Sequence, residues 1–385
     1  MYNQGYQQYP GYGQPGMMQP GMMQPGYGQP GMMQPGMMQP GMMQPGMMQP
    51  GMMQPGMMQP GMMQPGYGQP GMMQPGASLM GYNPQSDCET LRKAMKGLGT
   101  DEDAIIKVVC NRTNDQRQAM KQHYSTLYKK DLIKELKSEL GGKFEDLVLA
   151  LFDTPFELDC KALYKAMHGI GTDEEILIEI IATRPNWRLA QDKIVFQSLY
   201  KKDLTKYVES ETSGTFRKIL LGILQCTRSE NMYPDMNQCA MDAKNLYKAG
   251  EGRLGTDEST FTNIFTKRSP AELAAIAAQY QAISKKTLFQ AIDSEFSGNA
   301  KKALKSILLA TINPSEYFAR KIKESMAGIG TQDAMLIRLL VSRDEIDMPQ
   351  IKATYQKLFG KDMISDIKSD TSGDYKKCLV ELAAH

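Results

Sequence analysis

"MKGLGTDE", residues 95–102, closes one helical stretch on two glycines and opens the next at once on a threonine. One glycine suffices for a tight turn, so the doubled glycine asks for a reason. Close variants return as "MHGIGTDE" at 167–174, "EGRLGTDE" at 251–258 and "MAGIGTQD" at 326–333. The threonine has a ready local role, because its hydroxyl can accept from a first-turn N–H and cap the following helix. Thr100 with Asp103 and Thr172 with Glu175 have the spacing of a capping box. Thr256 and Thr331 lack an acid three residues on, so capping alone does not explain the recurrence.

Aligning the four threonines exposes a longer register. Twelve residues after each stands an arginine, Arg112, Arg184, Arg268 and Arg343, and thirty-nine after each an acid, Glu139, Glu211, Glu295 and Asp370. Three beyond every acid is a glycine: Gly142, Gly214, Gly298 and Gly373. Agreement at so many offsets identifies four copies of one unit of about 70 residues. Stretches such as "AIIKVVCNR", "DLIKELKSEL" and "FEDLVLALF" carry apolar residues three and four apart, the helical period, and strand-like alternation is scarce. The expected fold is all-α with about five short helices per unit. The glycine turn joins the first helix to the second, and the acid lies near the end of the fourth. The expected boundaries are a low-complexity tail over 1–85 and units over 86–157, 158–229, 230–313 and 314–385. The third includes the longest connector, around "RSENMYPDMNQC".

The tail is set apart by composition. Residues 1–86 contain no Asp, Glu, Lys or Arg, although the 385-residue chain has 44 basic and 42 acidic side chains. From Gly11 to Pro75 run thirteen uninterrupted pentapeptides, ten GMMQP and three GYGQP. Pro then Gly at successive positions is the type II turn signature, so the expectation is a disordered chain of recurring turns and extended pieces. Such a tail either clusters with its own kind through Met and Tyr or serves as an inert spacer.

Six cysteines without CxxC spacing read as reduced core thiols of a cytoplasmic protein. No apolar run reaches the roughly 18 residues of a membrane span, and no basic-then-apolar signal pattern opens the chain. Contact with a membrane is therefore expected from the side.

The loop and the distant acid together suggest a chemistry. Glycine reaches backbone conformations that let successive carbonyls face one point. Three carbonyls and one carboxylate are hard oxygen ligands that suit calcium better than magnesium, yet they fall short of calcium's 6–8 oxygens. Water or an anionic ligand such as a lipid phosphate must complete the shell. Between the glycines sits a large aliphatic: Leu98, Ile170, Leu254 or Ile329. Such a residue either dips into a membrane interface or packs on its own repeat.

These residues resemble the annexin family: four repeats, each with a Gly-[Leu/Ile]-Gly-Thr loop and an acid 40 residues past the second glycine, from about Ser86 to His385. The uncharged head is similar to that of synexin-type annexins, although Met-Met dominates it. The resemblance implies a curved all-helical disc whose calcium loops dock on acidic phospholipid. It implies as ligands the carbonyls of Met95, Gly97 and Gly99 with Glu139, of Met167, Gly169 and Gly171 with Glu211, and of Met326, Gly328 and Gly330 with Asp370. The third loop, "KAGEGRLGT", is one residue longer and lacks the methionine; Gly250, Arg253, Gly255 and Glu295 are the expected set there. It also implies a protein peripheral to membranes when calcium rises, self-association on them, and a calcium-binding helical protein as a partner of the tail. His168 reads as a solvated loop side chain. Trp187 and the four aligned arginines read as structural, and Arg117 as a surface residue.

Two other classes compete. An enzyme is disfavoured by three histidines in all and no GxSxG, HExxH or P-loop pattern, and the EF-hand loop is absent. Nothing points to nucleic acid. A tail-driven scaffold, with the repeats as a helical platform, is the alternative function.

Overall fold

The computed structural model describes residues 79, 81–97 and 99–384; the expectations for the pentapeptide tail and for Leu98 lie outside the described residues. Twenty α-helices and no strand are found among them. The first repeat holds α1 (Pro84–Ala94), α2 (Glu102–Cys110), α3 (Asn114–Tyr128), α4 (Leu132–Glu139) and α5 (Gly142–Phe152). The second holds α6 (Pro155–Met167), α7 (Glu174–Thr183), α8 (Asn186–Tyr200), α9 (Leu204–Glu211) and α10 (Gly214–Leu224). The third holds α11 (Met236–Ala249), α12 (Glu258–Lys267), α13 (Pro270–Ser284), α14 (Leu288–Glu295) and α15 (Gly298–Ile312). The fourth holds α16 (Pro314–Ser325), α17 (Asp333–Arg343), α18 (Met348–Phe359), α19 (Met363–Asp370) and α20 (Gly373–Ala383).

Each aligned acid is thus the last residue of its repeat's fourth helix, and each aligned glycine the first of its fifth. Gly142, Gly214, Gly298 and Gly373 take φ of 60°, 59°, 55° and 62°, a left-handed conformation that glycine adopts without a Cβ penalty. This is why the acid-to-glycine spacing never varies.

The repeats do not pack in chain order. One apolar core joins repeat 1 to repeat 4, with Leu91, Ile105, Leu147, Phe318, Leu340 and Leu379 among its members. A second joins repeat 2 to repeat 3 through Leu163, Ile180, Leu220, Phe261, Ile276 and Leu304. The two pairings use equivalent elements: α5 meets α17 as α10 meets α12, and α20 meets α2 as α15 meets α7. Ion pairs repeat the pattern, Lys377 to Asp103 at 2.8 Å and Lys302 to Glu175 at 2.6 Å.

The aligned arginines are structural, as expected, but not uniformly. Arg112, Arg184 and Arg268 each reach back to an aspartate of the repeat's first helix, Asp87, Asp159 and Asp242, at 2.6–3.0 Å. In repeat 4 that aspartate is Phe318, so Arg343 lies over its ring at 4.1 Å and pairs with Asp347 instead.

Two readings are corrected. Arg117 is 1 % exposed rather than on the surface, because its guanidinium donates to the carbonyls of Val109 and Arg112, where α2 ends, and pairs with Glu345. Trp187 is half exposed, resting edge-on against Phe156 rather than filling a core.

Candidate functional site: four glycine loops and their acids

Each loop is closed by one backbone hydrogen bond. The N–H of Asp101 donates to Ala94 O (3.0 Å), that of Asp173 to Ala166 O (2.8 Å) and that of Gln332 to Ser325 O (2.7 Å), always seven residues back. In repeat 3, Asp257 reaches Ala249 O (2.7 Å), eight back, so the extra residue is absorbed inside the loop while its ends stay fixed. Turns from Gly252 N–H to Tyr247 O and from Arg253 N–H to Gly250 O take up the slack.

The glycines are required by conformation. Gly97 and Gly99 have φ of 125° and 84°, Gly169 and Gly171 110° and 84°, and Gly328 and Gly330 98° and 80°, with open space where a Cβ would stand. Repeat 3 keeps only the second of the pair, Gly255, at 78°, and Arg253 stands where the others have the first. Gly250 is required by space instead: its Cβ would lie 3.0 Å from Cγ and 3.1 Å from Cδ of Glu295, so a methionine there would displace the acid.

The loop threonine does not cap the next helix. That role belongs to the following residue in three repeats, with Asp101, Asp173 and Asp257 accepting from N–H groups of the first turn. Nor do the expected capping boxes form, because Asp103 and Glu175 turn instead to lysines of other repeats. The threonine hydroxyl faces the distant acid. Thr256 donates to Glu295 Oε2 and Thr331 to Asp370 Oδ2, both at 2.5 Å, Thr100 to Glu139 Oε2 at 3.5 Å, and Thr172 to Glu211 O at 3.3 Å. Loop and acid, 39 residues apart in sequence, are therefore brought together in every repeat.

Several carbonyls of the loops are uncommitted. Among the described residues none donates to the carbonyls of Met95, Gly97, Gly99, Gly169, Gly171, Arg253, Gly255, Met326, Gly328 or Gly330. The Gly250 carbonyl accepts from Arg253, and that of Met167 from the Tyr207 hydroxyl at 2.9 Å. Tyr207 lies one turn before Glu211 on α9, a contact that no local pattern announced; an aromatic four residues before the acid occurs in repeat 2 alone. His168 is exposed and stacks on Tyr164 with centroids 4.8 Å apart. The Met95, Met167 and Met326 side chains are buried, so only their backbone is offered to the loop. At the tips, Ile170, Leu254 and Ile329 are 109 %, 101 % and 108 % exposed, which removes local packing as their explanation.

Free carbonyls beside a carboxylate form a hard, oxygen-only donor set, which fits calcium and does not fit zinc or copper. A fourfold helical repeat in which every unit sets a glycine loop against a distant acid defines a class of helical repeat protein. The annexin family model matches residues 86–151, 158–223, 241–307 and 317–382, and the chain belongs to the annexin family. Human annexin A7 is 45 % identical over 296 residues, covering 77 % of this chain and 61 % of that protein; the chain thus spans about three fifths of the length of this relative. Among solved structures, annexin III superposes with a TM-score of 0.77 at 39 % identity, covering 79 % of this chain and 94 % of the other. Calcium-bound annexin (Sm)1 superposes with a TM-score of 0.73 at 33 % identity, covering 80 % and 91 %. Calcium is the characteristic ligand of this family.

Proposed function

We propose that the four loops bind calcium and, once loaded, hold the protein on acidic phospholipid. The ligands are the loop carbonyls with Glu139, Glu211, Glu295 and Asp370, and Leu98, Ile170, Leu254 and Ile329 enter the interface. The observation that carries this reading is the full exposure of the three described tip aliphatics beside uncommitted carbonyls and an acid. A fully exposed aliphatic gains free energy when it leaves water for an apolar interface, and a low-charge oxygen set binds calcium weakly, at roughly 10⁻⁴ to 10⁻³ M, until a lipid phosphate completes the shell. Calcium supplies the positive charge: each loaded site carries about +1, the ion's +2 against one carboxylate, so four present about +4 to an anionic leaflet. The chain has no helix among the described residues long and apolar enough to cross a membrane, in keeping with peripheral binding.

The methionine-rich tail is proposed to cluster bound molecules, and with them vesicles, because twenty of the 32 methionines lie in its uncharged pentapeptides. The test is sedimentation and turbidity with phosphatidylserine vesicles. The full chain should sediment with calcium, be released by chelator, and ignore phosphatidylcholine. Undiminished sedimentation in excess chelator would overturn the calcium reading. Equal turbidity for the full chain and one beginning at residue 79 would overturn the clustering role.

A further inference from the structure

Cys110 is the last residue of α2 in repeat 1, and Cys378 lies within α20 in repeat 4. They are 268 residues apart in sequence, yet their sulfurs lie 3.4 Å apart, and both side chains are buried. The other four cysteines meet only backbone carbonyls: Met120 O for Cys88, Asp192 O for Cys160, Leu224 O for Cys226 and Glu272 O for Cys239. At the equivalent contact between repeats 2 and 3 the two positions hold Ala182 and Ala303, both buried. The sulfur pair is therefore not demanded by packing, since the same joint closes with two methyl groups.

Arg117 lies beside this joint, donating to the carbonyl of Val109, the residue before Cys110, at 2.9 Å. The buried Arg117 guanidinium acts electrostatically on both sulfurs, and its Nε makes no hydrogen bond. We propose that Cys110 and Cys378 form an intramolecular disulfide site, oxidised by a peroxide and assisted by Arg117, that ties the first repeat covalently to the last.

The chemistry balances with the peroxide as the only co-reactant. One sulfur, as thiolate, attacks an oxygen of the peroxide; the O–O bond breaks, a sulfenic acid forms, and the hydroxide released takes up the thiol proton as water. The second sulfur then attacks the sulfenic sulfur, the S–S bond forms, and the second hydroxide leaves with the second proton. Two electrons pass from the sulfurs to one peroxide molecule. In the resting protein the contact with Cys110, and then burial, hold the Cys378 thiol well above its ordinary range, so that thiol stays protonated and slow to react. A neighbouring guanidinium favours the thiolate once it forms. Sulfurs already in contact need a shift of little more than 1 Å to reach bonding distance.

The test uses the full chain, treated with hydrogen peroxide in chelator and digested without reduction. A peptide joining Cys110 to Cys378, two hydrogens lighter than its parts, is expected. The heat-unfolding midpoint should rise by roughly 5 °C, since a link across so long a loop restricts the unfolded chain strongly, and dithiothreitol should reverse the gain. Cys110→Ala and Cys378→Ala, treated identically to control for methionine oxidation, should show no reversible gain. Recovery of both thiols free after treatment, a dominant link through another cysteine, or an equal gain in the alanine variants would each overturn the proposal.

Discussion

Gly171 shapes the second loop and the next residue, Thr172, donates to the Glu211 carbonyl, so substitutions at Gly171 and Glu211 should separate backbone shape from charge. Gly171→Ala places a Cβ at φ 84°, a strain of about 1 kcal/mol with no steric clash to relieve. Glu211→Gln keeps the shape and removes the carboxylate proposed as a ligand of the second loop. Both should raise the calcium needed for half-maximal vesicle binding, the glutamine variant by several-fold, while circular dichroism stays helical. Unchanged titrations for both in a folded protein would remove the second loop from the binding surface. The acids and loops were legible at this scale because the fourfold register isolates them from background. Tyr207, Arg117 and the cap at Asp101 were not. Each depends on a partner brought in by tertiary contact, or on a choice between two adjacent cap-competent residues, which local spacing does not encode.

A buried carboxylate in repeat 2 gives a prediction in pH. Asp159 accepts from both Arg184 and Arg188; burial opposes its ionisation, but the two arginines outweigh it and hold it below the usual range. Asp192 has Arg188 at 3.7 Å and is also favoured as a charge by Arg184, but burial, followed by the charge of Asp159, outweighs both and pushes it up to about 8. A raised folded pKa means the native protein keeps a proton that the unfolded chain loses near pH 4. Stability should then fall as pH rises from about 4 to about 8, by at most about 1.4 kcal/mol per unit for this group. Asp192→Asn should flatten that dependence, read as urea midpoints at pH 5 and pH 8 in chelator; the same slope in both proteins would exclude Asp192 as its source.

At the scale of elements, helix-to-helix contacts follow from residue size. Gly222 on α10 faces Thr266 on α12, and a Cβ there would lie 2.9 Å from the threonine Cγ2. Thr266 is buried and its hydroxyl already donates to Thr262 O, so it has little room to yield. Gly222→Ala should destabilise by roughly 1–3 kcal/mol through overpacking, and adding Thr266→Ala should recover part of the loss. Additive effects in the double variant would mean the two helices relax independently. Helix existence was readable from apolar period and helix ends from the glycines. Which helices of different repeats meet was not, because the apolar faces of repeats 2, 3 and 4 are chemically alike and only the three-dimensional closure pairs 1 with 4.

At the scale of the whole helical region, two cores must be held as one. Glu179 on α7 belongs to the half built from repeats 2 and 3, and Arg338 on α17 to the half built from repeats 1 and 4. The guanidinium donates twice to the carboxylate, Nε to Oε1 at 2.9 Å and Nη2 to Oε2 at 2.6 Å, with both side chains buried. A buried pair of this kind contributes little net energy against apolar residues of equal volume, but removing one partner strands the other charge, at about 3–5 kcal/mol. Its expected value is specificity, because the bidentate geometry is satisfied in this alignment of the halves and an offset would strand both buried charges. Glu179→Gln should therefore lower the unfolding midpoint and split the calorimetric transition into two, as the halves lose their shared constraint. Glu179→Leu with Arg338→Met, which strands no charge, should restore the midpoint while the transitions remain separate. A single sharp transition in both variants would show that the halves are coupled through other contacts, such as Glu175 with Lys321 at 3.0 Å, and that the buried pair is dispensable for their alignment.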